Sequence, residues 1–124
     1  GRPCRQRPVA RCALTARATR TMIRHVVMWK LKTHAEGADR QANAAKVKAL
    51  LDSLSDLVPG MLRLEVVLAQ PGLEATCDVL AISEFADKAA LDAFQSHPHH
   101  QAMKPFIVAV REARHVIDYE ASSA

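Results

Sequence analysis

Three histidines, His97, His99 and His100, crowd around Pro98 in the stretch FQSHPHHQAM, in a chain that has six histidines among 124 residues. An imidazole titrates near pH 6.5, about the middle of the physiological range, so a histidine at a pocket wall both takes and gives protons at neutral pH. His100 is the candidate for that acid/base role, with His25 as the second candidate. For His100 the possible orienting partners are His25, Asp78 and Tyr119. A metal site is not predicted. Chelating histidine pairs on a helix usually stand at i and i+4 and a third protein ligand joins them, whereas here the spacings are short and cross a proline, so only His97 and His100 can share a helical face. The structural alternative stays open for two of them: His97 bonding free backbone groups at a helix break, and His25 as a buried, satisfied core histidine. His99 is expected in solvent.

Were there a cavity beside His100, its candidate ligand-binding wall is Val27, Trp29, Phe94, His97 and Met103. Each has a plainer reading. A lone Trp on a strand packs in a core or an interface at least as readily, and Phe94, Met103 and Phe106 at near-helical spacing read first as core. Asp78 and Glu84 fall on one strand face and, if buried, need partners such as Arg63 or Arg114.

These side chains need a sheet to hold them. MIRHVVMWKLK, residues 22–32, alternates, with Ile23, His25, Val27, Trp29 and Leu31 on one face and Arg24, Val26, Met28 and Lys30 on the other. Both faces are apolar enough to require cover. After the loop THAEGA, Asp39 caps a helix to about Leu57, with Val47, Leu50, Leu51, Leu54 and Leu57 at helical spacing, and Pro59-Gly60 ends it. MLRLEVVLAQ is a second strand with Leu62, Leu64, Val66 and Leu68 on one face. DVLAISEF is a third, Asp87 caps a helix through KAALDAFQS, and Pro98 kinks or restarts a helix that persists to about Pro105 or slightly beyond. VREARHVIDYE closes as a strand with Ala113, His115, Ile117 and Tyr119 on one side. The order β-α-β-β-α-β is the α+β, ferredoxin-like arrangement, an antiparallel sheet with helices on one face. The other face then meets water in a monomer. Burying ~600 Å² of it at about 25 cal/mol/Å² is worth on the order of 15 kcal/mol before ordering costs, so a homodimer through the open sheet face is expected.

Charge separates the chain into two parts. Residues 1–21 hold six Arg and no acid, while the remainder carries 11 Lys+Arg against 13 Asp+Glu. Without its basic tail the domain has no surplus to recruit phosphate backbones, so nucleic acid is not an expected partner. The tail reads as a disordered extension upstream of a start at Met22, with an organelle import sequence as the alternative, the domain spanning 22–120 and a short tail 121–124 following. No apolar run approaches the roughly 18 residues of a membrane span, and no membrane partner is expected. Cys77 stands alone in the domain, which rules out a disulfide framework there and makes the cytoplasm the expected compartment.

The opening RHVVxxK pattern, SEFADKAALDAF, HPHH and the closing VIDYE together resemble the stress-responsive A/B barrel (Dabb) family over about residues 22–120. That resemblance implies dimeric α+β barrels, formed when two ferredoxin-like sheets face each other. One plant branch includes olivetolic acid cyclase, a polyketide cyclase working through histidine and tyrosine without metal or organic cofactor, so no cofactor is expected. By the same resemblance its catalytic histidine matches His100 and its pocket histidine matches His25. Its tyrosine falls on Phe94, which has no hydroxyl to move a proton.

Two functions follow as expectations. One is a small dimeric stress-response protein of unassigned reaction, binding a small apolar ligand between sheet and helices. The other is a cofactor-free lyase, cyclase or isomerase with His100 as acid/base, a small monooxygenase-like enzyme being its variant by fold analogy. A closed apolar pocket of a few hundred Å³ with His100 at its wall would favour the second, and a space beside His100 filled by side chains would remove it.

Overall fold

The computed structural model describes residues 20–122. The expected disordered extension therefore lies outside the described residues except for Arg20 and Thr21. Strand β1 runs Thr21–Leu31, and Thr21 already pairs with Ser122 at the end of the last strand, so the sheet begins one residue before Met22 and extends into the expected tail. The rest of the order is β2 His34–Ala35, β3 Ala38–Asp39, α1 Arg40–Asp52, β4 Met61–Leu68, β5 Val79–Phe85, α2 Lys88–Ser96, α3 Pro98–Val110 and β6 Arg111–Ser122. The four long strands form one antiparallel sheet in the order β4-β5-β1-β6. This is the predicted ferredoxin-like α+β architecture.

The loop after β1 is more ordered than THAEGA implies. Glu36 and Gly37 both have positive φ, 50° and 76°, the requirement of a tight two-residue hairpin turn between β2 and β3. Asn43, only 3% exposed, ties that hairpin to α1 by donating from Nδ2 to the carbonyls of Ala35 and Ala38. Asp39 caps α1 as expected, its carboxylate accepting from Ala42 N–H, and Asp87 does the same for α2 through Ala90 N–H.

Helix α1 stops at Asp52 rather than Leu57. Ser53 turns its hydroxyl back onto Leu50 O, and tighter turns carry the chain to Asp56, whose φ of 57° ends any helix. Leu54 still reaches the core, at 2% exposed. Gly60, at φ 87°, then lies against α2, where an added Cβ would stand 2.9 Å from Ala90 Cβ. Helix α3, by contrast, outlasts Pro105. A proline inside a helix costs roughly 3 kcal/mol, but burying Ile107 and Val110 returns about 1.5–3 kcal/mol each, and both are at most 4% exposed.

In β4 the alternation expected from Leu62 fails. Met61 pairs with Phe85 and Arg63 with Glu84, so Leu62 is the extra residue of a bulge and is 57% exposed, while Met61 takes the buried place. The face of β1 bearing His25, Val27, Trp29 and Leu31 turns to the helices, and the core lies in that layer. The opposite face has Val26, Ile82 and Ile117 aligned in one row and Met28 beside Leu80 in the next. At its end Glu84 accepts from Arg24, 2.8 Å, and from Arg63, 3.4 Å, and Tyr119 Oη accepts from Arg24. Arg63 is thus the partner expected for Glu84, whereas Arg114 is on the other side of the sheet.

Candidate active site

Strand pairing sets the inner-face side chains in rows. Ser83, His25 and Asp118 form one row across β5, β1 and β6, then Ala81, Val27 and Val116, then Val79, Trp29 and Arg114. Phe94 from α2, and His100, Met103 and Ile107 from α3, close over this floor, with Leu51 and Leu54 at one side. Between them lies a cavity of about 290 Å³. Its wall includes His25, His100, Val27, Trp29, Phe94 and Met103, six of the seven site residues expected from the sequence.

His97, the seventh, is not on that wall. It ends α2 and begins α3, its Nδ1 accepting from His99 N–H at 3.1 Å. This is the junction role, since Pro98 at the first helical position leaves a break that a side chain must cap. The His97 and His99 rings stand 5.0 Å apart outside the cavity, and among the described residues no group of three or more His, Cys, Asp or Glu is placed to hold a metal ion.

His25 is 5% exposed, and its Nδ1 lies 2.5 Å from Asp118 Oδ1. A carboxylate accepts only, so in the neutral ring Nδ1 carries the proton and Nε2 is left with its lone pair. Asp118 itself is 39% exposed along the edge strand and stays hydrated while it orients the ring. Ser83, on the other flank of His25, is 2% exposed and also lines the cavity.

His100 is held differently. Its ring meets Phe94 edge-on at 4.9 Å, and Phe94 packs in turn on Phe85 at 5.1 Å. Its Nδ1 is buried without a hydrogen-bond partner. Burial, followed by repulsion from Lys104, His25 and Arg114, lowers its pKa to about 4. The imidazole is therefore neutral at pH 7. A measurable consequence concerns stability. With a folded pKa of about 4 against the ordinary 6.5, the unfolded chain binds a proton in that window that the folded chain refuses, so stability falls as pH drops below 6.5 and this loss levels off below 4. His100→Gln is expected to flatten that slope, read as the change in urea midpoint between neutral pH and the middle of the window. An unchanged slope would show His100 to be as readily protonated folded as unfolded.

Of the expected orienting partners, His25 shares the cavity wall with His100 and the other two lie elsewhere. Tyr119 is on the outer face with Arg24, and Asp78 accepts from Leu31 N–H at 2.7 Å. Sequence reasoning missed Asp118, Ser83, Lys104 and Arg111 as site residues. The signal for Asp118 was the parity of β6, because a face carrying Ala113, His115, Ile117 and Tyr119 leaves Arg114, Val116 and Asp118 on the other.

Similar proteins agree with this architecture. A dimeric ferredoxin-like protein of unknown function from Bacteroides fragilis shares 24% identity, with a TM-score of 0.66 over 81% of this chain and 96% of its own. A Dabb family protein with a ferredoxin-like fold from Mesorhizobium loti shares 28%, with a TM-score of 0.58 over 80% and 95%. Hydroxynitrile lyase from Passiflora edulis is 20% identical, with a TM-score of 0.64 over 83% and 95%. No curated protein matches the chain by sequence. Among the described residues no helix is long and apolar enough to cross a membrane. The stress responsive A/B barrel domain model matches residues 23–121, the span that contains both histidines of the cavity and all of the sheet except the outer ends of β1 and β6, and the chain belongs to that family.

Proposed function

We propose that the protein is a cofactor-free proton-transfer enzyme of the lyase, isomerase or cyclase class, acting on a small, largely apolar carbonyl compound. The observation that carries this is one cavity walled by two differently prepared histidines. His25, oriented by Asp118, offers Nε2 as the base. His100, kept neutral, polarises the carbonyl oxygen by donating an imidazole N–H, a task for which a lowered histidine pKa is an asset. This refines the expectation that His100 is itself the acid/base, since a group with a pKa of about 4 is a poor proton acceptor near neutrality. The fold shared with a hydroxynitrile lyase makes cyanohydrin cleavage one of the reactions to try.

The test is proton NMR in D2O of the full chain with a panel of small ketones, aldehydes and mandelonitrile. Enzyme-dependent exchange of the hydrogens next to the carbonyl, or carbon–carbon cleavage, is the expected result. Binding without either would leave a second reading, a ligand-binding protein with no turnover. One observation favours that second reading: Phe94, which packs against the His100 ring, has no hydroxyl to join the chemistry.

The open sheet face is proposed as the homodimer interface. Val26, Met28 and Ile117 there are backed by Ile82 and Leu80 on the neighbouring strand, and Met28 and Ile117 are 37% and 59% exposed in one subunit. Light scattering at micromolar concentration is expected to return twice the mass of one chain. A single folded subunit would overturn the interface. The cytoplasm remains the proposed compartment and is checked by fractionation.

A further inference from the structure

The cavity is apolar along Val27, Ala81 and Trp29, and three cations join its wall. Lys104, Arg111 and Arg114 all wall it, and among the described residues none of the three enters an ion pair. Lys104 stands one helical turn after His100. Arg114 lies opposite Trp29 across the β1–β6 ladder.

Arg111 reaches the wall through a register shift. Lys30 pairs with Ala113 but Leu31 pairs with Arg111, so Glu112 is skipped. In an unbroken ladder Leu31 would face Glu112, and the wall would carry an acid in place of a base. Bulges beside sites re-aim side chains in this way. Asp118, the acid on the same face of β6, is four residues from Arg114, about 13 Å along a strand, and is engaged with His25. Lys104 and Arg114 are exposed and Arg111 is half-buried, so water screens them in part, and the three together still set a positive potential at the cavity that favours an entering anion.

Trp29 is 5% exposed and its Nε1–H, a donor only, is buried without an acceptor. Buried donors are normally paired. The indole ring lines the cavity, while this N–H is turned away from it.

Resting on the reading of this cavity as a ligand site, we infer that it is built for a small organic acid, whose carboxylate is held by Arg114, Lys104 and Arg111. The apolar body of the acid lies on Val27, Trp29, Phe94 and Met103. The volume suits one ring or a short chain: about 290 Å³ is roughly twice the ~150 Å³ apolar cavity that holds benzene.

Trp29 is the single tryptophan of the chain, so its fluorescence reports occupancy directly. The full chain is titrated at neutral pH with two matched pairs, phenylacetate against phenylacetamide and hexanoate against hexanamide. The acid of at least one pair is expected to bind about tenfold or more tightly than its amide, because charge-assisted hydrogen bonds are about twice as strong as neutral ones. That preference should shrink in high salt and fall to no more than about a third of its wild-type value in the double variant Lys104→Gln, Arg114→Gln, which leaves only Arg111. Amides binding as well as acids would overturn the acid specificity while leaving the cavity a ligand site. An acid preference undiminished in the double variant would overturn the role of Lys104 and Arg114. No response of Trp29 to any of the four compounds would remove the ligand site itself, and this inference with it.

Discussion

Phe85→Ala is expected to destabilise the folded protein by about 3–5 kcal/mol, the range for emptying an aromatic position in a packed core. Phe85 is 0% exposed at the end of β5, pairs with Ile23 and Met61 on either side, and meets the Phe94 ring at 5.1 Å. Truncation leaves a void that β5 cannot close without breaking its pairing to both neighbours. Urea unfolding at fixed protein concentration measures the loss, with Leu73→Ala as the control. Leu73 is 68% exposed and its truncation should fall within about 0.5 kcal/mol of wild type. The damage should also reach the cavity, because Phe94 rests on Phe85 and His100 rests on Phe94. A loss below about 1 kcal/mol would mean that the void collapses, contrary to the packing described.

His25→Gln is expected to lower the hydrogen-exchange or cleavage rate about 10²–10⁴-fold, the contribution typical of a positioned general base. Glutamine retains much of the side-chain bulk but offers no basic nitrogen, so unfolding should change far less than rate. Asp118→Asn should also slow the reaction, since an amide in place of the carboxylate no longer fixes the proton on Nδ1. His100→Ala is expected to cost about 10²–10³-fold, as for removal of one donor to a developing oxyanion. His100→Gln should recover part of that, because an amide N–H is a neutral donor like the imidazole. With its pKa near 4, His100 should leave no step in the rate profile around neutrality. Wild-type rates in His25→Gln would remove His25 from the chemistry.

How much of this was legible in advance differs from element to element. The two faces of β1 could be read residue by residue, because period-two alternation is a property of one strand and needs no partner, but which face turns to the helices could not, since both are apolar. The caps at Asp39 and Asp87 were equally local. The end of α1 was misjudged because apolar spacing continues through Leu57 while Ser53 and Asp56 terminate the helix, and burial does not require helix there. The continuation of α3 past Pro105 was underestimated for the opposite reason: a local penalty was outweighed by burial of Ile107 and Val110. Both bulges, at Leu62 and at Glu112, were invisible, since a register shift is a relation between two strands.

The sequence alone determined the order of elements, the two apolar faces of the sheet and the histidines worth watching, because propensity, capping and alternation act within a few residues. Only the tertiary structure decided which of those histidines share a cavity and what accompanies them. Asp118 is 93 residues from His25, and Arg114 is 85 from Trp29. They become neighbours when β6 pairs with β1, and no local preference encodes the register of that pairing.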